Sequence, residues 1–434
     1  MTDIEVYAQR RASLLAQMQC GIAILPTAPE RVRNRDSEYL YRFDSYFYYL
    51  CGFREAEAVL VLVAGAEAQS ILFCREKNPE RETWDGFRYG PDAAREAFGV
   101  DAAYPIAQLD EKLPALLANQ PALYYAPGMD PDWDARVLRW LNQVRAQSRT
   151  GISAPRSIYD VRAALDEMRL IKDERELALM RRAASISAKA HERAMRATRP
   201  GRMEYEIEAE LLYEFRRRGA QFPAYWPIVA GGANACVLHY SDNNARLADG
   251  ALLRIDAGCE FDGYASDITR TYPINGKFGG PQKDVYELVL AAQAAAIGAT
   301  RPGVAWDAPH EAAVRVLAQG MIDFGLCRGS LDKVIEAGDY KRFYMHRTGH
   351  WLGLDVHDAG EYKLDGKWRP LKQGMTLTVE PGCYIRSGEG VPKAYWNIGV
   401  RIEDDVLVTQ DGCEIITAET PKSIAAIEAL VGND

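Results

Sequence analysis

The hydrophobic pattern changes character once along the chain. Up to about residue 165, short apolar runs such as "GIAIL", "EAVLVLVAG", "SILFC" and "ALYYA" alternate with amphipathic stretches such as "DWDARVLRWLNQVRAQ". Short apolar runs bounded by polar turns predict strands, the amphipathic stretches predict helices, and their alternation predicts an α/β domain over residues 1–172. A second domain is predicted over 173–434. It opens with Asp173 and, three residues on, Glu176, the spacing of a capping box; Leu177, Met180, Ala184, Ser187 and Ala188 then recur at helical intervals. A helix is therefore expected from about 174 to 197, ended by Pro200 and Gly201.

The five letters at that end, "ATRPG" at 197–201, return at 299–303 after a second Ala-rich helical run. Each copy is followed by another amphipathic segment and then by strand-like sequence: "ALLRIDAG" with "YASDITRTY" first, "MTLTVEPGCY" with "GVRIEDDVLVT" later. The shared order predicts an internal duplication of helix, turn, helix and strand pair.

One segment of the first domain departs from simple alternation. "SEYLYRFDSYFYYLCGF" carries eight aromatics between Tyr39 and Phe53, which suits a core strand or a subunit interface better than a solvent-facing strand. Composition narrows the class. A chain of 434 residues with 48% hydrophobic and 26% charged residues is long enough for two cores and ordinary for a globular protein. Its net charge of -9 offers no general positive field for nucleic acid or an anionic membrane. No apolar run is long enough to span a bilayer, and the first twenty residues do not read as a secretory signal. The eight cysteines are scattered, without the close pairs of a zinc ribbon or redox dithiol, and read as reduced thiols of a cytoplasmic protein.

Histidine is distributed unevenly: three of the six, His346, His350 and His357, fall within twelve residues. Acidic residues fall at matching places in the two halves. Asp256 and Asp267 lie on two β-like runs joined by a turn rich in Gly and Asp. A two-residue loop at Phe261-Asp262 would set them directly opposite, and one at Asp262-Gly263 diagonal; either way they share a face, with Cβ atoms roughly 5–8 Å apart. Carboxylates that close repel unless a cation lies between them. The later half supplies Glu380 at the end of "TLTVE", and Arg401 with Glu403 two residues apart in "GVRIEDD". If the duplication folds about a pseudo-twofold axis, four acids converge. His191 and His310 lie on helical segments far from these motifs and receive no role.

The ordered set of Asp256, Asp267, "HRTGHWLGLDVHD", "TVEPG" and "VRIEDDV" resembles the metallopeptidases of the pita-bread fold, most closely bacterial aminopeptidase P, with prolidase a near relative. The likeness spans almost the whole chain, including "FPAYWPIVAGGANACVLHYSDN", "YRFDSYFYYLCGF" and "TWDGFRYG". It implies an α+β pita-bread catalytic domain behind the α/β domain, and the metal ligands Asp256, Asp267, His350, Glu380 and Glu403, with Asp267 and Glu403 bridging two divalent ions. Four carboxylates would balance two such ions, and one nitrogen among many oxygens favours Mn2+, with Co2+, Fe2+ or Zn2+ as substitutes. By the same resemblance a hydroxide held between the ions is the nucleophile and Glu380 the proton shuttle. His239, His346 and His357 would touch substrate or intermediate, and Arg401 would orient the acids. Tyr384 and, from the N-terminal domain, Asp36 would lie near the substrate, with Trp84 a candidate to close the proline pocket.

The activity implied is release of the N-terminal residue from peptides with proline in second position, a tertiary amide that general peptidases handle poorly. Prolidase is the first alternative; it must capture a C-terminal carboxylate, for which Arg369 is one unassigned candidate. Methionine aminopeptidase fits the long first domain badly. A non-enzymatic binding protein or a metal-free creatinase-like hydrolase would have no need of five ligands. A homodimer or homotetramer is expected, with the N-terminal domain serving assembly and the substrate pocket.

Overall fold

The structure, a computed structural model, describes residues 2–433, and the chain divides between Met168 and Arg169 into two compact units.

In the first unit six strands form one mixed sheet, in the order Ala102–Pro105, Gln69–Cys74, Val59–Ala64, Gly21–Pro26, Ala122–Tyr125, Ser157–Asp160. The middle three run antiparallel, pairing Gly21 with Ala64 and Val59 with Phe73, and the outer pairings are parallel. Val59–Ala64 is buried along nearly its whole length, as a continuous apolar run requires. Val59 and Val61 join the core formed with the helices Leu109–Leu117 and Pro131–Arg145, while the strand also packs on the helices Asp3–Met18 and Ser45–Cys51.

The aromatic segment is a helix rather than the strand its composition suggested. Asp44 caps Ser45–Cys51 by accepting the N–H of Phe47, and Gly52 ends it in a left-handed conformation. Phe47, Tyr48, Tyr49 and Leu50 are buried, so packing of the rings on the sheet outweighs the modest β preference of aromatic residues.

The second unit repeats itself. The helices Glu174–Ala197 and Glu204–Arg217 pack together, as do Gly280–Ala299 and Ala308–Asp323. Asp173 and Glu176 form the expected reciprocal cap. The two "ATRPG" copies have the same local geometry: Thr198 Oγ1 donates to the carbonyl of Ala194 at 2.8 Å, and Thr300 Oγ1 to that of Ala296 at 2.9 Å.

Each helix pair is followed by a hairpin. The first carries Leu252–Asp256 and Thr269–Pro273, paired through Leu253 with Tyr272; the second carries Thr376–Val379 and Asp404–Val408, paired through Leu377 with Val406. Leu253, Ile255, Val289 and Val400 share one core, and fully burying each such side chain contributes roughly 1.5–3 kcal/mol. That core fixes the strand ends from which the acidic residues project.

Candidate metal centre

The first hairpin turns at Asp262-Gly263, both at positive φ (50° and 86°), the backbone twist that tight hairpins favour. Phe261 pairs with Tyr264 and Asp256 with Thr269. Of the two registers open to the sequence this is the diagonal one: Asp267 precedes Asp256's partner by two residues and so shares its face. Both carboxylates are buried. Tyr225 reaches both; its hydroxyl lies 2.6 Å from Oδ1 of Asp256 and also contacts Oδ1 of Asp267. One hydroxyl proton cannot serve two ionised oxygens at once, so this arrangement calls for further positive charge.

The second hairpin presents its acids one step beyond the ladder. Val379 pairs with Asp404, so Glu380 and Glu403 are the next residues on the two strands. The halves are tied together at this point. Thr269 Oγ1 donates to Glu403 Oε2 at 2.6 Å, the N–H of Glu403 donates to the carbonyl of Thr269, and the N–H of Asp267 donates to Asp405. Glu380 is anchored by its own N–H to the carbonyl of Thr348 at 2.8 Å.

His350 enters on the segment beside this hairpin: its carbonyl accepts the N–H of Thr378 at 2.9 Å, and its own N–H donates to the Thr378 hydroxyl at 3.1 Å. Its Nδ1 lies 2.9 Å from the carbonyl of Trp351. A carbonyl only accepts, so Nδ1 carries a proton, and Nε2 is turned toward the acids, 3.4 Å from Asp267 and 3.7 Å from Glu380. Ligand atoms of Asp267, His350 and Glu403 all lie within 4.8 Å of one another.

The electrostatics of this donor set fit divalent cations. Burial, with Asp267, Glu380 and Asp256 adding repulsion, pushes the Glu403 carboxyl well above the usual range. Burial raises Glu380 to about 7 against the opposing pull of His350 and Arg401. For His350 burial opposes the charge, but Asp267 and Glu380 prevail and lift it to about 9. Asp256 is held low: burial raises it, but Arg401, the Tyr225 hydroxyl and Arg254 together outweigh that effect. Mostly oxygen donors with one imidazole, crowded to the point of retaining protons, form a cage that positive ions relieve.

A cavity of about 450 Å³ opens onto these groups, and His239, His346 and His357 line it along with Tyr225 and Trp226. The His357 ring stands 4.3 Å from that of His350, edge to face. His346 sits in a directed chain of hydrogen bonds. Its Nδ1 lies 2.7 Å from the carbonyl of Arg347 and must donate; its Nε2 then accepts the Tyr384 hydroxyl at 2.8 Å, and that oxygen accepts from Arg401 Nη1 at 3.2 Å. Burial and the nearby Arg401 guanidinium lower His346 to about 3, which keeps this neutral tautomer in place. Arg401 also donates to Asp256 and to Thr269 Oγ1.

Asp256, Asp267, His350, Glu380, Glu403, Arg401, Tyr384 and three further histidines are thus brought together within the second unit. Asp36 and Trp84 belong to the first unit, Asp36 exposed in the turn between Val32–Asn34 and Ser37–Glu38, and Trp84 80% exposed on the helix Pro79–Asp85. Arg369 is buried, donates to the carbonyl of Glu361, and is not among the cavity's lining residues.

Two histidines set aside in the sequence prove to support the site. His310 Nδ1 lies 2.9 Å from Thr348 Oγ1, and His191 Nε2 lies 2.9 Å from the carbonyl of Ala257, the residue after Asp256. Helix packing brings them there from distant positions, which no local spacing reveals. Tyr225 was likewise missed: it follows a two-residue strand, Phe222–Pro223, too short to carry a periodic signal.

Comparison with known proteins agrees with this geometry. Residues 178–410 match metallopeptidase family M24, and residues 7–124 match the N-terminal domain of aminopeptidase P. The chain is 46% identical to an Xaa-Pro aminopeptidase of Haemophilus influenzae, over 98% of this chain and 97% of that protein. With the Xaa-Pro aminopeptidase of Escherichia coli it is 44% identical over 98% and 97%. A solved aminopeptidase from Pseudomonas aeruginosa is 52% identical with a TM-score of 0.97, covering 99% of this chain and 98% of that one. A zinc-substituted Escherichia coli aminopeptidase P in complex with product gives a TM-score of 0.96 at 43% identity, with the same coverage. The chain belongs to metallopeptidase family M24 and, within it, to the aminopeptidase P group.

Proposed function

We propose that the chain is a dinuclear-metal Xaa-Pro aminopeptidase, releasing the N-terminal residue from peptides whose second residue is proline. The observation that carries this reading is the convergence of Asp267, His350 and Glu403 from both halves of the duplication, with Asp256 and Glu380 beside them, in one cavity.

Asp256, Asp267, His350, Glu380 and Glu403 would hold two divalent ions, and the preponderance of oxygen donors supports manganese. When bound, the ions supply Lewis acidity and a deprotonated nucleophile at neutral pH. Glu380 carries the proton to the leaving proline nitrogen. Its side chain is the best placed for this, being 15% exposed against 10% for Asp256 and 8% for Asp267. His239 and His357, both exposed toward the cavity, orient the peptide and stabilise charge developing on the scissile carbonyl oxygen. Arg401 holds Asp256 and, through Tyr384, the neutral His346.

The N-terminal domain, residues 1–172 in this reading, would serve assembly into a homodimer or homotetramer, with Trp84 and Asp36 available to contact substrate. Their exposure leaves both available for such a role. Eight unpaired thiols support a reducing, cytoplasmic setting, and among the described residues no helix is long and apolar enough to cross a membrane.

The test is hydrolysis of a matched pair, an X-Pro dipeptide and an X-Pro-Y tripeptide, by manganese-loaded protein. Release of X from the tripeptide is expected. Cleavage of the dipeptide alone would make the protein a prolidase instead.

A further inference from the structure

Next to the metal centre, but outside its ligands, lies a buried ion cluster that the proposed reaction leaves unused. Asp358, Lys172 and Arg169 each have side chains only 1% exposed. The Asp358 carboxylate is divided between two cations: Oδ1 accepts from Arg169 Nη2 at 2.5 Å and Oδ2 from Lys172 Nζ at 2.8 Å. Lys172 Nζ also donates to the carbonyl of Arg169, and Arg169 Nη2 reaches Asp355 at 2.7 Å. The segment bearing both cations is itself pinned, since the N–H of Lys172 donates to the carbonyl of Gly374 at 2.9 Å.

The other side of the cluster is a loop without regular structure, from Trp351 to Asp358. It closes on itself through the N–H of Asp358 to the carbonyl of Trp351 at 2.9 Å, that of Gly353 to the carbonyl of Asp355, and that of Asp355 to the Asp358 carboxylate. Gly353 is where the clamp passes closest. A Cβ there would lie 2.3 Å from Asp358 Oδ2 and 2.9 Å from Lys172 Cε, so only glycine admits the ion pair. The residue next to the clamped carboxylate is His357, whose ring faces His350 across 4.3 Å.

A buried ion cluster is a poor source of stability compared with apolar packing of the same volume, and its use is often geometric. We propose that Lys172 and Arg169 are positioning residues, which grip Asp358 and thereby hold His357 at the height over the centre that the peptide requires. The inference rests on the reading of His357 as a residue that touches substrate. The loop is bonded to strands near its start, by the N–H of Leu352 to the carbonyl of Thr376 and that of Ala265 to the carbonyl of Gly353. His357 lies further along it, and a misplacement of about 1 Å can cost on the order of a hundredfold in rate. The clamp supplies the missing rigidity from the far side of the loop.

A kinetic double-mutant cycle on the manganese-loaded, full-length protein tests this, using Lys172→Met, His357→Ala and the pair together on an X-Pro-Y tripeptide. Lys172→Met is expected to lower kcat at least tenfold with metal content unchanged, and to cause no further loss once His357 is alanine. An equal loss in both backgrounds, or unchanged kcat in Lys172→Met, would overturn the clamp. Unchanged kcat in His357→Ala would overturn it for a different and separable reason, that His357 itself plays no part. Should Lys172→Met fold poorly, Asp358→Glu, which keeps the charge but shifts the carboxylate by one methylene, runs the same cycle with the same two outcomes.

Discussion

The Nε2 of His350 lies 3.4 Å from Oδ2 of Asp267, although the two residues come from opposite halves of the duplicated unit. Neither half by itself contains a site. The first contributes Asp256 and Asp267, the second His350, Glu380 and Glu403, and the bond from Thr269 Oγ1 to Glu403 joins them at the seam.

Metal should therefore act as a clasp between the halves. Ions that bind only the folded arrangement stabilise it by mass action, by about 2.7 kcal/mol at a free concentration one hundred times Kd. Chelation is expected to abolish turnover and lower Tm, and added manganese to restore both. A Tm indifferent to chelator would contradict the proposed ligand set.

Glu380→Ala should reduce kcat by at least about a thousandfold, since on the proposed reading it removes a ligand and the proton carrier together. Metal content measured on the same preparation should fall as well. Near-normal turnover in this variant would exclude Glu380 from the chemistry.

Tyr225→Phe removes the single hydroxyl that contacts both Asp256 and Asp267. Partners that orient ligands typically account for about 10–100-fold in metal affinity. A loss in that range is expected in equilibrium dialysis, with the far-UV spectrum unchanged. Unaltered affinity would show that the strand register alone orients the two acids.

His191 predicts how stability depends on acid. It is fully buried, with Nδ1 unpartnered and Nε2 bonded to the carbonyl of Ala257, and burial lowers it from 6.5 to about 4. Folded, it stays neutral in this window while the unfolded chain takes up a proton. Its contribution is thus complete above pH 6.5 and lost as pH falls toward 4, by on the order of 3 kcal/mol. His191→Gln, which keeps a donor for Ala257, should unfold less steeply between pH 6.5 and 4 in denaturant titrations; an identical pH slope would remove His191 as the cause.

Much of this was legible in the linear chain because it depends on neighbours in sequence. The helix from 174 to 197 follows from Asp173, Glu176 and the spacing of Leu177 and Met180, and the bounds Glu174–Ala197 agree. Repetition of "ATRPG" announced the duplication because the same short turn closes both long helices. The five proposed ligands could be named through family resemblance, Asp256, Asp267, Glu380 and Glu403 beside strand motifs and His350 within the histidine cluster. Local patterning also had limits. The aromatic run from Tyr39 to Phe53 reads as strand by composition, yet Ser45–Cys51 is helical, because the Asp44 cap and burial of Phe47 and Tyr48 on the sheet outweigh a small propensity.

What tertiary structure alone decided is which distant groups meet. The sequence allowed two hairpin registers for Asp256 and Asp267; the turn at Asp262-Gly263 selected the diagonal one. Nothing near Tyr225, His191, His310 or Lys172 in the chain marks them as neighbours of the centre, and each arrives there through packing of elements far apart in sequence. Strand and helix periodicities are properties of a few consecutive residues and survive in a string of letters, whereas the hydrogen bonds and charge pairs that tune a buried site exist only once separate segments have been brought within about 3 Å of one another.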